Sequence, residues 1–156
     1  MRLSDLTPDD WSALGEYVAY VRDKLGLHTW SIHIEHKACN KNHQASIAPV
    51  YGRTHAVIRL SRYWPTLSAS EQKHTIIHEL LHLQFVGVQS AVEHLDGVIS
   101  DDMVHLLEAS HTESLEYAID AIAYVLTELF KDPPPLVESE EPDGTKICKY
   151  DDCDIA

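Results

Sequence analysis

Residues 68–86 read SASEQKHTIIHELLHLQFV, and this stretch decides the fold. Ser68 and Glu71 form an S-x-x-E capping box, which opens a helix expected from Ala69 to Val86 with Gly87 as its stop. In the middle of that helix stands His78-Glu79-Leu80-Leu81-His82, an HExxH motif. Residues four apart are about 40° apart around a helix of 3.6 residues per turn, so His78 and His82 project from one face. Two imidazoles so placed can grip one Zn²⁺ at about 2.0–2.1 Å. Glu79 follows the first His and can sit beside an open metal position. There it is suited to take a proton from water as general base.

Upstream, Thr7-Pro8-Asp9-Asp10 is a helix start, with Trp11, Leu14, Val18, Val21 and Leu25 at helical spacing and Gly26 ending the run. Trp30, Ile32, Ile34 and His36 alternate with polar residues, the mark of a half-buried strand. Residues 45–51 read as a second strand, in which Pro49 belongs at a sheet edge or bulge. Gly52-Arg53 turns the chain into a third strand carrying Ala56, Ile58 and Leu60.

Downstream, residues 89–109 are partly helical and ambiguous. Ser110 and Glu113 form a second capping box, expected to open a helix with Leu115, Ile119, Ile122, Leu126 and Leu129 on one face. Asp132-Pro133-Pro134-Pro135 ends it, since proline cannot continue a helix. The fold class expected is α+β: an N-terminal helix, a small three-stranded sheet, the HExxH helix and a C-terminal Glu-bearing helix. Residues 1–131 form the domain, and 132–156 an acidic tail expected to be flexible.

A catalytic zinc site takes three protein ligands and keeps a fourth position open. His94, His105, Glu108, His111, Glu113 and Glu116 are downstream candidates. His74 shares the face of His78 and His82. It lies eight residues, about 12 Å along the axis, from His82, too far to bind the same ion with both. Glu116 is the best third ligand. Asp120 lies four residues on, where it can accept the free N–H of a liganding imidazole, that of His78 first. Glu113 is the runner-up, but Tyr117 follows it at that spacing. Gly and His three and six residues after the second His would mark a metzincin; Phe85 and Val88 stand there and exclude that class.

HELLH, followed on a later helix by Glu116-Tyr-Ala-Ile-Asp120, resembles the gluzincin branch of zinc metallopeptidases. The small size is similar to minimal gluzincins such as the ImmA/IrrE-type group, whose Glu-helix pattern Ile122 and Ala123 also match. The resemblance, over residues 10 to 130, implies a minimal zincin core. It implies Zn²⁺ held by His78, His82 and Glu116, with Glu79 as general base for peptide hydrolysis. The expected partner is a peptide or protein substrate lying along a free edge of the 45–61 hairpin. Tyr51, Tyr63, His105, His111, Tyr117 and Tyr124 are candidates for stabilising the oxyanion. The competing expectation is a zinc-bound regulatory or interaction module with little peptidase activity. Glu79 speaks against it, because a purely structural site has no use for a carboxylate beside an open position.

Composition limits the alternatives. Twelve basic and 25 acidic residues give a formal charge of −13. That disfavours nucleic acid and anionic membranes as partners. The charge is uneven, since −6 of it falls on the 25 residues from Asp132 onward. Cys39, Cys148 and Cys153 are too few and too scattered for a disulfide framework. No signal peptide or 18-residue apolar run is present, so a soluble cytoplasmic protein with reduced thiols is expected.

Overall fold

Helix α1, Pro8–Lys24, starts where the sequence says it should. Thr7 caps it, its hydroxyl accepting from the Asp10 N–H at 3.2 Å while Asp10 Oδ2 accepts from the Thr7 N–H at 2.8 Å. It ends on Gly26, whose φ of 71° is a left-handed conformation that a Cβ would oppose. In the computed structural model, which describes residues 1–40, 43–50, 52–95 and 97–136, three strands follow. They are β1 Ser31–Glu35, β2 Ala45–Pro49 and β3 His55–Leu60. Three further α-helices follow among the described residues: α2 Ala69–His82, α3 Val86–Glu93 and α4 Asp101–Leu129. The class is α+β, as expected.

The sheet order is β1-β3-β2, with β1 parallel to β3 and β2 antiparallel to it. The late strand β3 takes the centre, and its strict alternation buries Ala56, Ile58 and Leu60. Arg59 and Glu35 form an ion pair between β3 and β1. β2 is an edge strand, which is where Pro49 costs no ladder hydrogen bond. The core lies between the sheet, α1 and α2, with Val21, Ile58, Trp64, Ile76, Ile77 and Leu80 fully buried.

Three expectations need correction. The HExxH helix does not continue to Val86. It stops at His82, and the main chain tightens through bonds from the Leu83, Gln84 and Phe85 N–H groups to the carbonyls three residues back. Phe85 and Val86 then pack on the core, and α3 sets off anew with Gly87 inside its first turn. HExxH therefore sits at a helix end rather than mid-helix. Second, the Ser110–Glu113 box opens nothing. α4 begins at Asp101 after Ser100, and Ser110 and Glu113 lie exposed in the helix interior. Third, the buried face of α4 is turned from the one expected. Ile119 is buried and Leu115 and Leu126 are partly so, but Ile122 and Leu129 are exposed. Ala123 and Thr127 are buried in their place, being small enough to let α4 approach α2 closely.

Residues 132–136 remain tied to the domain: Asp132 pairs with Lys73, and Leu136 packs against the core. The rest of the expected acidic tail, with Cys148 and Cys153, lies outside the described residues. Cys39 is a free thiol whose Sγ lies 3.2 Å from the His43 carbonyl. Among the described residues no helix is long and apolar enough to cross a membrane.

Candidate metal centre

The site is built by two helices. α2 is anchored at its start by the capping box: the Ser68 hydroxyl accepts from the Glu71 N–H, and Glu71 Oε2 accepts from the Ser68 N–H at 2.7 Å. Ile76, Ile77 and Leu80 fix its rotation by filling the core. That rotation leaves His78, Glu79 and His82 half-buried on the side facing β2 and α4. α4 is pinned by its far end. Lys73 on α2 donates to the Phe130 carbonyl at 3.1 Å and to Asp132 Oδ1 at 2.7 Å. Tyr17 donates to the Lys131 carbonyl at 3.1 Å. Lys73 is buried, and these partners compensate its charge.

With both helices fixed, Glu116 and Asp120 meet the histidines. Asp120 Oδ1 lies 2.7 Å from His78 Nδ1. A carboxylate there holds the proton on Nδ1 and turns Nε2, as a lone-pair donor, toward the other ligands. His78 Nε2 stands 3.2 Å from His82 Nε2 and 3.3 Å from Glu116 Oε2, and His82 Nε2 stands 3.6 Å from Glu116 Oε1. Four ligands placed tetrahedrally at about 2.0–2.1 Å from one Zn²⁺ lie about 3.3–3.4 Å from each other. The three measured separations lie within about 0.3 Å of that length, the two to Glu116 being to different oxygens of its carboxylate, and the donor set of two imidazoles and one carboxylate suits zinc. These residues therefore fit the ion. They are also the group of His, Cys, Asp and Glu side chains among the described residues whose potential ligand atoms all lie within 4.8 Å of one another.

Glu79 is set apart from the three ligands. It lines a groove of about 880 Å³ together with His78, His82 and Glu116. Burial pushes its carboxyl above the ordinary value, while His78, a hydrogen bond from the Ile47 backbone and His43 pull the other way. Burial likewise lowers the pKa of His82, favouring the neutral imidazole that a metal requires. The opposite wall of the groove is the outer edge of β2, from Ala45 to Pro49, and its rim is formed by Val86, Gln89 and Ser90 of α3.

The five site residues expected from sequence, His78, Glu79, His82, Glu116 and Asp120, are thus brought together. Glu113 is exposed and contributes nothing to the groove. Of the oxyanion candidates, Tyr51 lies outside the described residues, and Tyr63, His105, His111, Tyr117 and Tyr124 do not line the groove. His43 and Arg53 do, and sequence reading missed both. A polar turn and a hairpin tip carry no periodicity to mark them. The α3 rim was equally hidden, since the one breaker in 83–90, Gly87, falls inside α3 rather than at the end of α2.

Comparison with family models, curated proteins and solved structures produced no match to this chain. The functional reading accordingly rests on the side chains.

Proposed function

We propose that the protein is a zinc-dependent peptidase of the gluzincin kind. The observation that carries this is the meeting of His78, His82 and Glu116 at ligand-to-ligand distances, with Glu79 beside them in one groove. A metal alone would need only the three ligands; the fourth, non-ligating carboxylate is what favours hydrolysis. When bound, zinc supplies Lewis acidity to a substrate carbonyl and makes water a nucleophile near neutral pH.

The chain's residues do the rest. Asp120 keeps the His78 ring oriented and its Nδ1 protonated. Glu79 accepts a proton from the attacking water and returns it to the leaving amine as the C–N bond breaks. Its partly buried setting raises its basicity, which suits proton transfer near pH 7. The outer edge of β2 gives an extended peptide main-chain groups to pair with, in the manner of strand addition. His43 lines the groove from the turn just before β2 and is available to donate to a developing oxyanion.

The test has two parts. Elemental analysis of the purified chain should find about one zinc per molecule, lost in His78→Ala, His82→Ala and Glu116→Ala. A metal-free protein that also fails to take up added zinc sinks the reading. Glu79→Gln should keep the metal and the fold while lowering cleavage of unfolded casein by roughly 10²–10⁴-fold. Undiminished cleavage by that variant removes Glu79 from the chemistry. A zinc-loaded wild type that cleaves neither casein nor a diverse peptide library makes the centre a regulatory or binding module instead.

A further inference from the structure

α4 is 29 residues long, and only Val104, Ile119, Ala123 and Thr127 on it are buried. Opposite that buried line runs a second apolar line facing outward. Met103, Leu106, Tyr117, Tyr124 and Val125 are 49–70% exposed, and Leu107 39%. A helix that is apolar on both sides is patterned for cover on both sides. The sequence Leu115–Leu129 has only Glu116, Asp120 and Glu128 as charged residues, yet the domain covers one side of it.

The spacing of the outward line is specific. Met103, Leu107, Ser110, Ser114, Tyr117, Ala121 and Tyr124 follow one another in alternating steps of four and three. That 3.5-residue period is the seam of two helices wound about each other. The seam is also self-complementary in one direction only. Turned antiparallel about Ser114, it places Leu107 on Ala121, Ser110 on Tyr117 and Met103 on Tyr124. Leu107 and Tyr117 then each meet a small residue, and only the outer pair, Met103 and Tyr124, sets two large side chains together. A parallel, in-register pairing stacks tyrosine on tyrosine and leaves gaps at Ser110, Ser114 and Ala121.

We propose that a second copy of this chain covers this face, giving a two-fold symmetric dimer joined by antiparallel α4 helices. The exposed apolar side chains of the line amount to on the order of 600 Å². That is the upper limit for the largest patch of an ordinary monomer, about 300–600 Å². With the small residues between them it approaches the ~800 Å² per partner of a stable interface. The chain's own acidic C-terminal stretch is a poorer occupant. Residues 137–156 spread their few apolar side chains among seven acidic ones, and α4 itself carries seven acidic residues and no Lys or Arg. The same acidity sets the dimer's signature: charge repulsion between the two helices is screened by salt, so association tightens as ionic strength rises. The inference does not depend on the peptidase reading.

Sedimentation equilibrium of the full chain from 1 to 200 µM tests it. The expected result is a shift from 17.6 kDa toward twice that mass, with the dissociation constant falling several-fold between 50 and 500 mM NaCl. Tyr117→Arg and Ala121→Arg, both at exposed positions, should each return the monomer with an unchanged circular dichroism spectrum. In a chain with Cys39, Cys148 and Cys153 replaced by Ser, Ser114→Cys should form an intermolecular disulfide on mild oxidation and Ser110→Cys should not. A monomer at 200 µM in both salts overturns the proposal. So does a dimer indifferent to both Arg variants, and ready self-linking of Ser110→Cys overturns the antiparallel arrangement.

Discussion

α2 and α4 divide the candidate metal centre between them, yet they are held in very different ways. α2 is 14 residues long with seven of them buried, and its buried polar side chains have named partners: Gln72 with the Trp64 carbonyl, Lys73 with Phe130 and Asp132, Thr75 with Gln44. α4 is twice as long with four buried, and it is fixed mainly at its C-terminal end. The lesson is that the histidine pair stands on a helix that is part of the core, whereas Glu116 and Asp120 are brought to it by a helix with far fewer buried residues. Stability should follow α2, and the quality of the metal site should follow α4.

The sharpest break of that contrast is in the core. Leu80→Ala should cost about 2–5 kcal/mol in urea unfolding, from lost transfer energy and the cavity left behind. A loss under 1 kcal/mol would mean α2 is not the frame. Next comes Asp120→Ala, which should weaken zinc about 10–100-fold in a chelator competition while hardly moving the unfolding midpoint. An unaltered zinc affinity would show that the 2.7 Å contact does not orient His78. Lys73→Met should cost roughly 1–3 kcal/mol by leaving the Phe130 carbonyl and Asp132 without their cation. It should also weaken zinc, because the same contact seats α4.

Smaller still is the effect at the start of α2. Ser68→Ala should cost about 1 kcal/mol. Hydrogen bonds from the Ser68 hydroxyl and N–H hold the Glu71 carboxyl below its ordinary 4.5. The contribution of that carboxylate is therefore complete above about pH 4.5 and disappears as pH falls through the lower folded value. The stability difference between wild type and Glu71→Gln should shrink accordingly between pH 5 and pH 3. A difference constant over that range would show that the box does not act through the carboxylate. The smallest effect should be at Leu129→Ala, within about 0.5 kcal/mol in the dilute chain, since that side chain meets solvent.

How much of this was legible in the sequence follows the same division. The Ser68-x-x-Glu71 box and the shared face of His78 and His82 are local patterns, and both stand in the fold as read because a capping box and a same-face pair need only the helix they sit on. Ser110-x-x-Glu113 is the same pattern and misled. Both side chains are polar on a surface, so a continuous helix satisfies them as well as a helix start does. The end at His82 was unreadable for the opposite reason. Leu83, Gln84, Phe85 and Val86 are all compatible with a helix, and only packing of Phe85 and Val86 on the core turns the chain. Glu116 and Asp120 were found through their spacing to each other, a local fact. His43 and the α3 rim reach the groove through tertiary placement alone.

The Lys73 anchorage has a consequence for the birth of the molecule. His82 leaves the synthetic machinery 34 residues before Glu116 and 50 before Asp132. At about 5–20 residues per second the chain spends roughly 3–10 s with its histidine pair made and its clamp unmade. During that interval Lys73 has no acceptor from the far end, and α4 has only its own buried residues to seat it. The centre is therefore assembled last, after almost the whole domain exists. A chain cut short before Phe130 would carry His78, His82 and Glu116 and yet lack one of the contacts that hold α4 against α2.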